Sequence, residues 1–288
     1  MSARAAALAL TVSLAPTAHG EPMQVVVVKR AGVTAYEEVA EEFGERCRVR
    51  ARLVSVGDEG MHGLRFSADD LVVTVGQEAL DALRGTRARV VPTLAFHTPE
   101  GLVGPPASPH PELILKVLAM ARAQKIRRVG VVYGPRIAVT IVQAQRAAER
   151  LGLQLETARV ESGPQAVRAL RTLAGKVDAL WLPGDPDVIT PQVFQYALRL
   201  QLERGLPVAA ATRQQVHSGA LIAADFSPRA AGRIAADLVN RYLDGRGAPF
   251  DGSEVDLYSG ARVTVNAVVA RRLGIDVEGL SRMGARVE

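Results

Sequence analysis

The stretch that most limits what this chain can fold into is residues 177–212, VDALWLPGDPDVITPQVFQYALRLQLERGLPVAAAT. An apolar run over 179–182 opens into Pro183, Gly184, Asp185, Pro186 and Asp187, a helical segment follows, and a second apolar run over 207–211 closes the unit. Thr190 suits an N-cap, Pro191 suits a first helical residue, and Gly205 suits a helix end. The spacing predicts a strand, a crossover helix and a second strand parallel to the first. In such units the loop at the strand's carboxyl end stays open to ligand. Here that loop carries Asp185 and Asp187.

The same alternation recurs along the chain. Residues 24–28 form a β-branched run suited to a strand buried on both faces. Thr34 is placed to cap a helix through about Phe43, with Tyr36, Val39, Ala40 and Phe43 on one face. Strands are expected over 49–56, 69–75 and 89–96, with a short helix over 76–83. After a connection rich in Pro and Gly over 98–110, a candidate hinge, the pattern restarts. Helices are expected over 111–124, 137–151 and 164–174, and strands over 128–133 and 153–160. A strand over 220–224, a helix capped by Ser227 with Pro228 in its first turn, a strand over 261–266 and a helix over 267–273 complete the reading. Two like-sized lobes of parallel strands and helices account for this order, and the alternative is one continuous doubly wound sheet.

Composition bounds the function. A chain of 288 residues, 48% hydrophobic, is long enough for one large or two ordinary domains. The net charge of +5 comes almost entirely from arginine, since Lys29, Lys116, Lys125 and Lys176 are the only lysines. The arginines are scattered through helical segments without an aromatic-interleaved run, so no nucleic-acid partner is expected. The single Cys47 excludes an intramolecular disulfide and any multi-cysteine metal site, and the five histidines include no pair at ligand spacing. Residues 1–20 combine Arg4, an apolar run over 5–14 and the small-residue pattern at Ala18 and Gly20, which reads as a secretory signal peptide. The chain is therefore expected in the periplasm, without a lipid-anchor cysteine. No apolar run approaches the length of a membrane span.

Motifs for chemistry are sparse. Gly76 and Gly134 follow strands, but neither belongs to a dinucleotide fingerprint and no phosphate-loop pattern occurs, so no cofactor is expected. Asp185 and Asp187 could be an acid and base pair or a cation site, or simply turn formers beside Pro and Gly. No nucleophile elbow is visible. Trp181 reads as core, whereas Tyr133 and Phe226 end strands and could wall a ligand.

The segments DALWLPGDPDVITPQVFQYALRLQLERGLPVAA, GALIAADFSPRAAGRIAADLVNRYLDG and VTVNAVVARRLGI together resemble the ABC transporter substrate-binding family related to tryptophan and tyrosine uptake proteins, and VVVVKRAGVTAYEEVAEEF, DDLVVTVGQEAL and VGVVYGP resemble it more weakly. The resemblance implies a type I periplasmic binding protein: two Rossmann-like lobes joined by a three-crossing hinge. It implies an N-terminal lobe of 21–107 plus 226–250 and a C-terminal lobe of 108–225 plus 251–288. Carried over by motif position, ligand contacts fall at Arg30, Gly76, Gln77, His97 and Thr98 in the first lobe. In or near the second they fall at Tyr133, Arg136, Asp185, Thr212 and Asp225. The function implied is that of an extracytoplasmic, monomeric, non-enzymatic solute-binding component of an importer, with an amino acid or other small polar solute and a membrane permease as partners. Asp185 and Asp225 would accept ligand donors, and Arg30 or Arg136 would face an anionic end. The alternatives are a sensory binding protein feeding a receptor and, from another class, a hydrolase or transferase using Asp185 and Asp187.

Overall fold

The computed structural model describes residues 23–57, 64–121, 126–245, 256, 259–282 and 284–288. The expected signal peptide over 1–20 lies outside the described residues, as do the end of the helix expected over 111–124 and most of the connection before residue 259.

Two separate sheets form, which excludes the continuous doubly wound alternative. The first holds β1 (Val25–Arg30), β2 (Arg52–Val56), β3 (Leu71–Val75) and β4 (Arg89–Thr93) in the order β2-β1-β3-β4, all parallel. Its helices are α1 (Thr34–Arg46) and α2 (Gln77–Ala82). The β-branched run of β1 is central because both its faces are covered. Val25 and Val27 pack with Val39 and Phe43 of α1, while Val26 and Val28 pack with Val72 and Ala79 on the other face.

The second lobe contains α3 (Pro111–Met120), β5 (Arg128–Tyr133), α4 (Ala138–Arg150), β6 (Gln154–Arg159), α5 (Gly163–Leu173), β7 (Ala179–Trp181), α6 (Pro191–Arg204), β8 (Val208–Ala210), α7 (Arg213–His217) and β9 (Ile222–Phe226). After α8 (Pro228–Leu243) come β10 (Ala261–Val265), α9 (Ala267–Arg272), α10 (Val277–Arg282) and β11 (Arg286–Val287). The strand order is β11-β10-β9-β8-β7-β5-β6. Thr190 caps α6 by accepting a hydrogen bond from the Val193 N–H at 3.4 Å, and Gly205 ends it at φ +67°. Ser227 caps α8 in the same way through the Ala230 N–H.

The crossings position the site. The chain leaves the first sheet after β4 and enters the second lobe at α3. It leaves the second sheet at Phe226, and α8 packs against α1 and β4 of the first lobe. It then returns at Ala261, whose partner in register is Phe226 itself. A strand that re-enters where its neighbour left must run backwards, so β10 is antiparallel to β9 in a sheet otherwise parallel. That edge departs from the all-parallel expectation.

Several boundaries also differ from the expectation. The strand expected over 89–96 stops at Thr93 because Leu94 takes φ +54°, and its N–H bonds instead to the Pro105 carbonyl at 2.8 Å. Thr34 is the first residue of α1 and not its cap. Extended Val33 holds that place, and its carbonyl accepts from Tyr36 and Glu37. The first strand residues expected at 49 and 69 lie outside β2 and β3.

The α1 and α8 contact is unusually close because α8 presents Ala231, Gly232 and Ala235. A Cβ on Gly232 would lie 2.5 Å from the Val39 carbonyl oxygen, a contact with backbone that cannot yield locally. Gly232→Ala should therefore destabilise the protein by about 1–3 kcal/mol, as overpacking does, measured by urea unfolding. An unchanged midpoint would show that the helices do not meet this closely.

Candidate functional site

Between the lobes, at the carboxyl ends of both sets of strands, lies a cavity of about 470 Å³. The first lobe contributes an uncharged wall, Tyr36 from the first turn of α1 and Leu94 and Phe96 from the crossing after β4, and Ser108 follows at the end of that crossing. The second lobe contributes the loop after β7 with Asp185, the loop and helix start after β8 with Thr212, and Asp225 of β9, with Phe226 next to it where the chain crosses back.

Asp185 is held as a buried carboxylate. It is 1% exposed, and its Oδ2 accepts from the Gly134 N–H at 2.7 Å. Its carbonyl accepts from Ile189 at 2.7 Å and Val188 at 3.2 Å, so the turn is strapped around it. Gly134 is required there, because a Cβ would sit 2.8 Å from that same carboxylate oxygen. The other oxygen, Oδ1, is buried with no protein hydrogen-bond partner. A buried acceptor left without a donor is destabilising. One residue earlier, a Cβ on Gly184 would meet Phe96 at 2.8 Å and Ser108 at 3.0 Å, so glycine is what lets the lobes touch at this point.

Beside it, Thr212 caps α7 through a capping box. Its hydroxyl accepts from the Gln215 N–H at 3.3 Å, and the Gln215 Oε1 accepts from the Thr212 N–H at 3.1 Å. Asp225 accepts from the Arg213 N–H at 2.8 Å. Burial pushes its carboxyl pKa up, while that N–H and the charges of Arg262 and Arg213 pull it down. The Arg213 guanidinium is taken by Glu288, with Nη2 at 2.6 Å and Nε at 2.8 Å. Glu288 also pairs with His217 and, at 2.7 Å, with Arg286. These partners, Arg213 first, hold its carboxyl down at about 2.

The other sequence-derived positions lie around the cavity and do not line it. Gly76 takes φ +91°, and a Cβ there would lie 2.3 Å from the Tyr36 hydroxyl, so this glycine makes room for a residue that does line it. Gln77 is buried and acts as a brace: its Oε1 accepts from the His97 N–H at 2.9 Å and its Nε2 donates to Asp81 at 3.1 Å. His97 and Thr98 follow it, half-buried. Tyr133 packs on the second lobe's core and is not part of the wall.

Arg30 is paired with Glu78 at 2.9 Å. Arg136 pairs with Asp187 at 3.0 Å and reaches Asp81 of the first lobe at 3.9 Å. Neither arginine lines the cavity, so the expectation that one of them faces an anionic ligand end meets side chains already engaged by carboxylates. Asp187 is paired with Arg136 and does not line the cavity, whereas Asp185 is buried and does. Among the described residues no group of three or more His, Cys, Asp or Glu could hold a metal ion.

The sequence reading missed Tyr36, Phe96 and Ser108. Tyr36 carried a signal, since it sits in the first helical turn after a strand-end loop. Phe96 and Ser108 did not, because the turn at Leu94 that aims this segment at the cavity leaves no pattern.

Residues 112–284, more than half of the chain, match the sequence model of the family described as ABC transporter substrate binding protein. The chain belongs to that family. No curated protein matches this substrate-binding protein. Among solved structures, it is similar to an ABC domain in complex with L-Trp from Streptococcus pneumonia, at 19% identity and a TM-score of 0.66, covering 92% of this chain and 100% of that one. It is similar to the ligand-free, open form of a substrate binding protein with adhesive properties from Clostridium difficile, at 16% identity and a TM-score of 0.67, covering 92% and 99%. A glucose-galactose binding protein from Geobacillus stearothermophilus matches at 13% identity and a TM-score of 0.54, covering 79% and 94%. These likenesses fix the fold as that of the type I periplasmic binding proteins.

Asp225 yields a test of the cavity's electrostatics. Its folded pKa is raised above the unfolded value of about 3.9, so its contribution to stability is fully present below that pH and is lost as pH rises through the folded value. Asn keeps an acceptor for the Arg213 N–H and removes the charge. Asp225→Asn is therefore expected to raise Tm at pH 7 and to leave it unchanged at pH 3, as followed by circular dichroism. A lower Tm at pH 7 would mean that the partners outweigh burial.

Proposed function

We propose that this substrate-binding protein captures a small polar solute between its lobes by hinge closure and delivers it to the membrane permease of an ABC importer. It acts outside the cytoplasm, in the periplasm, as a monomer, with residues 1–20 as its export signal. The lobes are 21–107 plus 226–250 and 108–225 plus 251–288, and Asp185, Thr212 and Asp225 are the principal ligand contacts. The other sequence-derived positions, including Gly76, Gln77, His97, Thr98 and Tyr133, act as supports around them.

The observation that carries this reading is a cavity of about 470 Å³ walled by both lobes and lined by Asp185 and Asp225, the first of which keeps one carboxylate oxygen buried without a partner. A solute that touches both walls only when they are close together favours the closed form by its differential affinity, and no chemical step is needed. The neighbours carrying L-Trp and described as binding glucose and galactose are small-solute binders on the same fold.

A thermal-shift screen against amines, amino acids, sugars and small anions tests this directly. A solute at about a hundred times its dissociation constant should raise Tm by about 5–10 °C and lower the radius of gyration in solution scattering. A panel without any shift would overturn the proposal. The pair of Arg136 with Asp81 joins the two lobes, so Asp81→Asn should enlarge the unliganded protein and weaken binding by up to about fivefold, the reach of an exposed pair. Unchanged affinity would remove that pair from the closure.

A further inference from the structure

The cavity's charge and surface narrow the solute further. Two carboxylates line it, Asp185 and Asp225, both on the second lobe. Arg213 also lines it, but its guanidinium is held by Glu288 at 2.6 and 2.8 Å and its N–H by Asp225 at 2.8 Å. Arg30 and Arg136 lie off the wall in ion pairs with Glu78 and Asp187, and Lys29 is buried beneath α1 against Glu37. An anionic group in the cavity would thus face two carboxylates, while Arg213, the cation among the lining residues, is engaged by Glu288. The first lobe's wall is uncharged and carries the rings of Tyr36 and Phe96, with Phe226 contributed from β9.

Resting on the solute-binding reading above, we infer that the ligand is an organic amine: a cationic nitrogen donating to Asp185 and Asp225, an apolar or aromatic body against the Tyr36, Phe96 and Phe226 rings, and no carboxylate. The ammonium supplies the donor that the Asp185 Oδ1 lacks, and a charge-assisted bond there is stronger than a hydroxyl could make. The electron-rich ring faces add to the attraction for a cation at short range. The raised pKa of Asp225 fits the same arrangement, since a cationic partner would offset the cost of keeping that carboxylate ionised in a half-dry place.

Four probes that share or lack these features decide it: phenethylamine, L-phenylalanine, 3-phenylpropionate and D-glucose, titrated calorimetrically into the full chain. Phenethylamine is expected to bind at least about tenfold more tightly than L-phenylalanine, with no heat from 3-phenylpropionate and weaker binding of glucose. Asp185→Asn and Asp225→Asn should each weaken the amine by about tenfold or more. Asp225→Asn serves as the second variant if loss of the Asp185 carboxylate disturbs the turn at Gly134, and circular dichroism reports whether each folds. If L-phenylalanine, 3-phenylpropionate or glucose binds as tightly as the amine, the inference falls while the solute-binding reading stands. If these probes and the wider panel all fail to bind, both fall together.

Discussion

The arrangement depends on helix α8 completing a core that is not its own. It leaves the second sheet at Phe226, yet its apolar face, with Ile234, Ala235 and Val239, packs into the cluster built by Val25, Val27, Val39 and Phe43 of the first lobe. Burial of that face is what commits one lobe to a helix supplied through the other, because an amphipathic helix gains little until its apolar stripe is covered. The small residues facing α1 then bring the two helices together, and Arg229 with Glu41, and Arg48 with Asp244, border the contact. Once α8 is seated, the ends of both sheets must face each other across the crossings, and a cleft follows from connectivity alone.

What the cleft can do is set by where polar groups are satisfied and where they are not. Around it, the protein spends its polar side chains on itself: Gln77 on the His97 N–H, Gln215 on the start of α7, and Arg213 on Glu288. Asp185 stands apart, with one oxygen committed and the other idle. A group kept buried and half-used is a stability cost that folding alone does not explain, and such local conflicts tend to mark functional places. Asp225 is in the same position to a smaller degree, since burial works against its charge. The second lobe thus carries the polar recognition, and the first lobe supplies a smooth aromatic face.

Much of the fold was legible in residues with a local mechanism. Thr190 with Pro191, Ser227 with Pro228, and Gly205 act through their own backbone geometry, and each marks a helix end where the sequence places it. The strand-end loop pointed to Asp185, and of the positions carried over from the family likeness Asp185, Thr212 and Asp225 line the cavity. Arg30 and Arg136, carried over in the same way, lie off that wall, and their partners Glu78, Asp187 and Asp81 are chosen by tertiary proximity that no spacing encodes. The short helix α7 was signalled by Thr212 and Gln215 at capping-box spacing but was overlooked in a five-residue element. Positive φ at Leu94 and the reversed β10 were beyond a local reading, since one reflects how the crossing packs and the other where the chain comes home.

Two of the three connections between lobes lie side by side. Phe226 and Ala261 are partners in register, and the Ser227 N–H donates to the Gly260 carbonyl at 3.0 Å, so outgoing and incoming strands form a short ladder as they pass. A laddered ribbon flexes out of its plane far more readily than one strand slides along the other, because sliding would break the rungs. The ladder between Phe226 and Ala261 therefore resists a sideways slip of one lobe past the other more than a bend across the ribbon.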